Sequence, residues 1–220
     1  MNQPPRAKKT PKAITVHGQT RVDDYFWLRE RDNPAVLDYL KAENVYTEQM
    51  MADTVELQAK LFAEMKGRIK ETDATVPAKF DDYYYYSRTV AGQQYEIYCR
   101  KRGSPAAAEE ILLDLNEVAR ALDVEYLGLG VFGVSPNHRY LAYSLDTDGG
   151  ESFLIRVKDL LTGLLLPDEI KNTYYSLAWT ADNEAFFYTV LDATKRPDRV
   201  YPGAREPAAG SLHLAFVGGA

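Results

Sequence analysis

Apolar positions along this chain follow two periods, and the change falls near Thr72. Upstream the period is helical. Asn33-Pro34 has the chemistry of a helix start, with Asn as the capping residue and Pro at the first helical position. Val36, Leu37, Leu40, Met50 and Met51 then supply one apolar face. A second helix is predicted from about Thr54. There Leu57, Leu61, Met65 and Ile69 recur every four residues, and Phe62 widens the stripe. Both stripes are expected to face a core.

Downstream of Thr72 the period is two. Residues 82–88, 95–100 and 110–115 read as strands, separated by turn signals at Ala91-Gly92-Gln93 and Gly103-Ser104-Pro105. Residues 116–123 read as a short helix or loop. Strands then resume in the stretch from Val131 to Asp146, which turns on Ser135-Pro136-Asn137-His138. Ser152 to Asp159 and Leu164 to Pro167 complete that meander. The Trp179 to Thr189 segment repeats its pattern: Tyr143-Ser144 aligns with Tyr188-Thr189, and Pro136-Asn137 with Ala181-Asp182. A strand-and-turn repeat of roughly 40–50 residues predicts β-propeller blades. A third unit is read from Tyr174 to Trp179, Ala185 to Leu191 and a strand near Arg199 to Tyr201. Beyond Pro202 the composition turns to Ala, Gly and Pro, and only Leu212, Leu214, Phe216 and Val217 suit a further short strand.

Composition adds boundaries rather than chemistry. The net charge of −6 gives no electrostatic case for nucleic acid. The only basic run, Arg6, Lys8, Lys9, Lys12 and Arg21, precedes the first acid, Asp23, and lies among prolines. It is read as a flexible basic tail over 1–22. The first 30 residues hold no apolar leader segment, and no run approaches the length of a membrane span. A single cysteine, Cys99, excludes an internal disulfide and fits a reducing compartment. A cytoplasmic protein is expected, with no nucleic acid and no membrane as partner.

Several motifs mimic functional sites. Gly128-Leu129-Gly130-Val131-Phe132-Gly133 matches a dinucleotide fingerprint, but Val134-Ser135-Pro136 follows where a helix would have to open. The glycines are read instead as allowing close strand packing. Gly133-Val134-Ser135 and Gly150-Glu151-Ser152 are half-matches to a nucleophile elbow, and both lack the second glycine. His17, His138 and His213 are far apart and read as surface or turn residues. Residues 146–151 start like a calcium loop but lose its register, so they read as a hairpin turn. Asp23-Asp24 and Asp81-Asp82 read as solvated ends of aromatic runs. No residue is put forward as catalytic, cofactor-binding or metal-ligating, and no cofactor is expected.

Asp23-Asp24-Tyr25-Phe26-Trp27-Leu28-Arg29-Glu30, followed by the helix from Val36 to Asn44, resembles the N-terminus of the prolyl oligopeptidase family. Asp82 to Arg88, Tyr95 to Arg100, Leu112 to Glu117, Val134 to Ser144, Arg156 to Leu160, Leu166 to Ile170 and Arg196 to Tyr201 resemble its oligopeptidase B branch. The resemblance implies a serine peptidase. Its C-terminal α/β-hydrolase domain carries Ser, Asp and His, and a seven-bladed propeller admits only short peptides, cut after Lys or Arg. On that basis the fold is mainly β, about three propeller blades preceded by an N-terminal α-helical arm. The arm spans 23–72, incomplete blades 1 to 3 span 73–201, and an atypical tail spans 202–220. The chain is expected to be an N-terminal portion without the triad or the hydrolase domain, truncated and inactive alone; a frameshift near Tyr201 is one origin. Short peptides are then substrates of the full-length parent only. The alternative is a non-enzymatic, propeller-like module that binds a peptide or protein.

Overall fold

The computed structural model describes residues 3–205 and 212–214. The chain divides into two compact units, Met1–Lys70 and Glu71–Ala220.

The first unit opens with a β-hairpin of β1 (Lys12–Val16) and β2 (Gln19–Asp23), where a flexible tail was expected over 1–22. His17 (φ 51°) and Gly18 (φ 76°) form its two-residue turn. Two successive left-handed residues match the twist of a tight hairpin, and glycine supplies the second at no steric cost. The preceding chain is tied as well: Trp27 Nε1 donates to Lys8 O at 2.9 Å, and Thr10 N to Asp24 O at 2.8 Å. Helix α1 (Pro34–Met50) starts as predicted, with Asn33 Oδ1 accepting from Ala35 N at 3.0 Å. Helix α2 (Val55–Gly67) follows a short 3-10 turn. The expected burial of the two stripes is not observed. Only Val36 is buried in α1 and no residue is in α2; Leu57, Leu61, Met65 and Ile69 are all exposed. The β part of this unit is a two-stranded ribbon, too small to cover two helical faces.

The second unit is a partial propeller. The first blade is an antiparallel meander of β3 (Ala78–Phe80), β4 (Tyr83–Arg88), β5 (Ile97–Arg102) and β6 (Glu110–Asp114). The 116–123 stretch resolves as helix α3 (Leu115–Leu122), capped by Asp114 Oδ1, which accepts from Asn116 N at 2.9 Å and Glu117 N at 3.3 Å. The second blade holds β7 (Gly128–Val134), β8 (Tyr140–Asp146) and β9 (Phe153–Asp159), with a short fourth segment bridged at Lys158 and Leu165.

Strand β10 (Ile170–Trp179) joins two blades. Its first half pairs with β9 at Ile170 and Thr173, and its second half pairs with β11 (Ala185–Leu191) at Leu177 to Trp179. The backbone therefore stays hydrogen-bonded from blade to blade. Strand β12 (Pro197–Arg205) runs past Tyr201, and β13 (Leu212–Leu214) pairs with Gly203 to Arg205. Phe216 and Val217 lie outside the described residues.

Two apolar cores lie between the blades. Leu112, Leu113, Leu115 and Ala119 meet Leu141, Tyr143 and Leu145 in one. Tyr140, Ala142, Ile155 and Val157 meet Phe186 and Tyr188 in the other. Side chains from β8 and β9 of the same blade leave no room at Gly130. A Cβ there would stand 2.6 Å from Phe153 Cδ1 and 2.6 Å from Ser144 Oγ. Gly130→Ala is expected to destabilise the chain by about 1–3 kcal/mol, read as a lower urea midpoint with an unchanged slope.

Candidate functional site

The motifs that mimic catalytic sites resolve as architecture. The Gly128–Gly133 run is strand β7, with no helix opening on it. Ser135 is fully buried; its Oγ accepts from Tyr140 N at 2.9 Å and donates to Asn137 Oδ1 at 2.7 Å, closing a turn. Ser152 Oγ donates to Asn172 Oδ1 at 3.1 Å. His17 sits in the first-unit hairpin turn, and the backbone of His213 pairs with Ala204. Among the described residues no group of three or more His, Cys, Asp or Glu is arranged to hold a metal ion.

What the fold does bring together is a row of turns. Each blade joins its first two strands through a turn containing a left-handed residue: Asp81 (φ 50°), His138 (φ 60°) and Asn183 (φ 65°). Each turn reaches the next. His138 Nε2 lies 3.1 Å from Asp81 Oδ2, and Asn137 N donates to Asn183 Oδ1 at 2.7 Å. Between β10 and β7, Trp179 Nε1 donates to Gly133 O at 2.9 Å. Asp81 thus does more than end an aromatic run. His138 keeps the predicted turn position, yet it is buried and not a surface residue.

The first seam has a charged centre. Arg100 and Glu110 face each other across β5 and β6, an opposite-charge cross-strand pair. The pair is bidentate: Nε to Oε2 at 2.7 Å and Nη2 to Oε1 at 2.8 Å. Arg100 is 5% exposed, and its third contact crosses the seam, Nη1 donating to His138 O at 2.6 Å. The guanidinium lies 4.4 Å from the Tyr83 ring centroid, and that ring lies 4.6 Å from the His138 ring. Tyr85 OH and His138 Nδ1 share a hydrogen bond of 2.7 Å. One planar cation is thereby satisfied on three sides, as a buried charge requires. Sequence reading missed this cluster, although the Gly103-Ser104-Pro105 turn sets the hairpin in which Arg100 faces Glu110.

Two buried carboxylates hold turns of the second blade. Burial pushes Asp146 up, but backbone N–H groups of Asp148, Glu151 and Gly149 outweigh it, so its carboxyl sits below its ordinary value. Burial likewise opposes ionisation of Asp159, and Arg139, at 2.9 Å, together with Leu161 N brings it below the ordinary value. These groups position loops and hold no substrate-facing geometry. Cys99 is similarly structural: burial pushes its thiol up to about 11, so it is no thiolate near neutrality.

The model of the prolyl oligopeptidase N-terminal β-propeller domain matches residues 4–204. The chain belongs to the prolyl oligopeptidase family. It is 37% identical over 204 residues to Protease 2 of Moraxella lacunata, covering 90% of this chain and 29% of that protein. It is 38% identical over 207 residues to dipeptidyl aminopeptidase BI of Pseudoxanthomonas mexicana, covering 86% of this chain and 28% of that one. Oligopeptidase B from Leishmania major superposes with a TM-score of 0.84 at 29% identity, over 96% of this chain and 32% of that structure. Oligopeptidase B from Trypanosoma brucei, with covalently bound antipain, gives 0.83 at 29% identity, again over 96% of this chain and 32% of that structure. The chain thus spans about three tenths of the length of these relatives.

Two outcomes check this reading of the family member's seam and turns. Glu110→Ala strands a buried cation and is expected to cost about 2–4 kcal/mol, whereas Glu110→Gln keeps hydrogen-bond acceptance and costs less; urea titration separates them. Asp146 and Asp159 both have folded-state pKa values below the ordinary 3.8, so each stabilises fully above that value. The contribution is lost as pH falls through the lower folded value. Asp146→Asn is therefore expected to flatten the decline in stability between about pH 5 and about pH 2.

Proposed function

We propose that this chain supplies the helical arm and first propeller blades of a serine oligopeptidase of the oligopeptidase B type. The enzyme hydrolyses short peptides after Lys or Arg, and this portion controls entry and leaves bond cleavage to a hydrolase domain. The observation that carries the reading is the extent of the match. Residues 4–204 fit the family's propeller model, and the fold follows an oligopeptidase B at a TM-score of 0.84.

The internal geometry supports that division of labour. Ser135 and Ser152 are engaged in turn contacts, and His138 is committed to Tyr85 and Asp81. None of them forms a nucleophile–base pair of the kind serine hydrolysis needs. Rigid blades packed face to face and joined turn to turn suit a wall that sieves substrates. The partner is a short peptide with a basic residue, with neither nucleic acid nor membrane involved. Cytoplasmic placement is part of the same proposal, supported by the single buried cysteine. No helix among the described residues is long and apolar enough to cross a membrane.

The chain alone is expected to give no turnover of a chromogenic Arg peptide; turnover abolished by a serine-directed reagent contradicts the assignment. Joined in frame to the remaining portion of the Leishmania major enzyme, the chain is expected to give cleavage after Arg in short peptides and to spare folded proteins. A soluble chimera that cleaves both equally contradicts the entry-control role.

A further inference from the structure

The second blade ends in an exposed apolar edge that the peptidase reading does not use. After β9 the chain turns through Gly163 (φ 76°) and runs back along that strand as the segment 164–166. Leu161 is 78% exposed, Leu164 68% and Leu165 49%. Only Leu166 of this leucine run packs against the core shared with the third blade.

The backbone shows which way the edge faces. Asp159 N donates to Leu164 O at 2.9 Å, and Leu166 N to Val157 O at 2.8 Å. In an antiparallel pair, bonds placed this way bracket a residue whose own N–H and C=O point away from the neighbouring strand. That residue is Leu165, opposite Lys158. Among the described residues neither of its outward groups has a hydrogen-bond partner. The free stretch is one residue long. Gly163 N is committed to Asp159 O at 2.8 Å, and Pro167 has no N–H to give.

An open edge favours strand addition, and its length decides what can add. A flexible peptide would have to order many residues for two backbone hydrogen bonds, and that ordering cost outweighs them. A second copy of this chain presents the same edge already ordered. Two such edges related by a two-fold axis at Leu165 exchange both bonds through that one residue. Leu164 of each copy then lies opposite Leu166 of the other, so the open leucines cover one another. Local charge does not oppose the pairing. Asp159 pairs with Arg139 at 2.9 Å and Glu169 with Arg156 at 2.6 Å, and Lys158 Nζ donates to Leu112 O at 2.8 Å. A lipid surface fits less well, because residues 159–170 hold no Lys or Arg to meet anionic headgroups.

We infer that the segment 164–166 is a self-association edge, through which two copies of this chain pair antiparallel about a two-fold axis at Leu165. The contact is small, so the dimer is weak and reversible.

The test is sedimentation velocity of the full chain from about 10 to about 500 µM, a range that brackets weak association. A reversible monomer–dimer equilibrium is expected. Leu164→Lys with Leu165→Lys sets like charges across the two-fold axis and is expected to raise the dissociation constant about tenfold or more. Leu57→Lys, on α2, is expected to leave it unchanged. If the double variant fails to fold, cross-linking decides. On a Cys99→Ser background, Leu165→Cys is expected to form a symmetric disulfide, since directly paired residues stand about 5.5 Å apart at Cα. Val200→Cys, exposed on β12, is expected to form none. A chain monomeric throughout, a dimer lost on Leu57→Lys and kept on the double change, or cross-linking equal at positions 165 and 200 would overturn the inference. So would displacement of the dimer by a leucine–threonine peptide, or sedimentation with phosphatidylserine vesicles in place of dimerisation.

Discussion

Strand β8 is buried along its whole length, from Tyr140 to Asp146, and this constrains everything around it. A strand sends alternate side chains to opposite faces. Leu141, Tyr143 and Leu145 therefore enter the core shared with the first blade, and Tyr140 and Ala142 enter the core shared with the third. A strand closed off on both sides admits no register error, because a one-residue slip exchanges the two sets. Blade stacking follows from this strand. Within the second blade itself, Ser144 on β8 and Phe153 on β9 occupy the space a side chain at Gly130 on β7 would need.

Apolar packing alone leaves two sheets free to slide, since it is not directional. Polar contacts at the seams supply direction. Asp81 reaches His138, Asn137 reaches Asn183, and Trp179 reaches the backbone of Gly133. At the first seam the buried Arg100 adds a charge that must remain bonded, which makes separation of the blades costly. Blades joined this way keep their placement relative to one another.

Much of this was legible in the residues. Period-two alternation, the turn chemistry at Ser135 to His138 and its return at Thr180 to Asn183 gave the strands and the blade repeat. The apolar run Tyr140 to Tyr143 gave a strand, but that both its faces are buried emerges only from the packing of three blades. The β1–β2 hairpin was hidden because its turn is His-Gly, a weaker signal than Asn-Gly, among basic residues that suggested solvation. The helical stripes at Leu57 to Ile69 gave the helices but not their surroundings, since periodicity describes a face and not what covers it. Asp81, His138 and Arg100 meet only in three dimensions, 57 and 38 residues apart along the chain, and local pattern holds no trace of such contacts.

Arg100 couples the first blade to the second through the backbone of His138. Amide hydrogen exchange on the unaltered chain and on Arg100→Met probes this coupling. Loss of the guanidinium is predicted to speed exchange on both sides of the seam, in β4 and β5 and in the turn from Ser135 to Tyr140, while the middle of β9 keeps its protection. Faster exchange confined to the first blade, with the turn unchanged, would show that Arg100 does not couple the two blades.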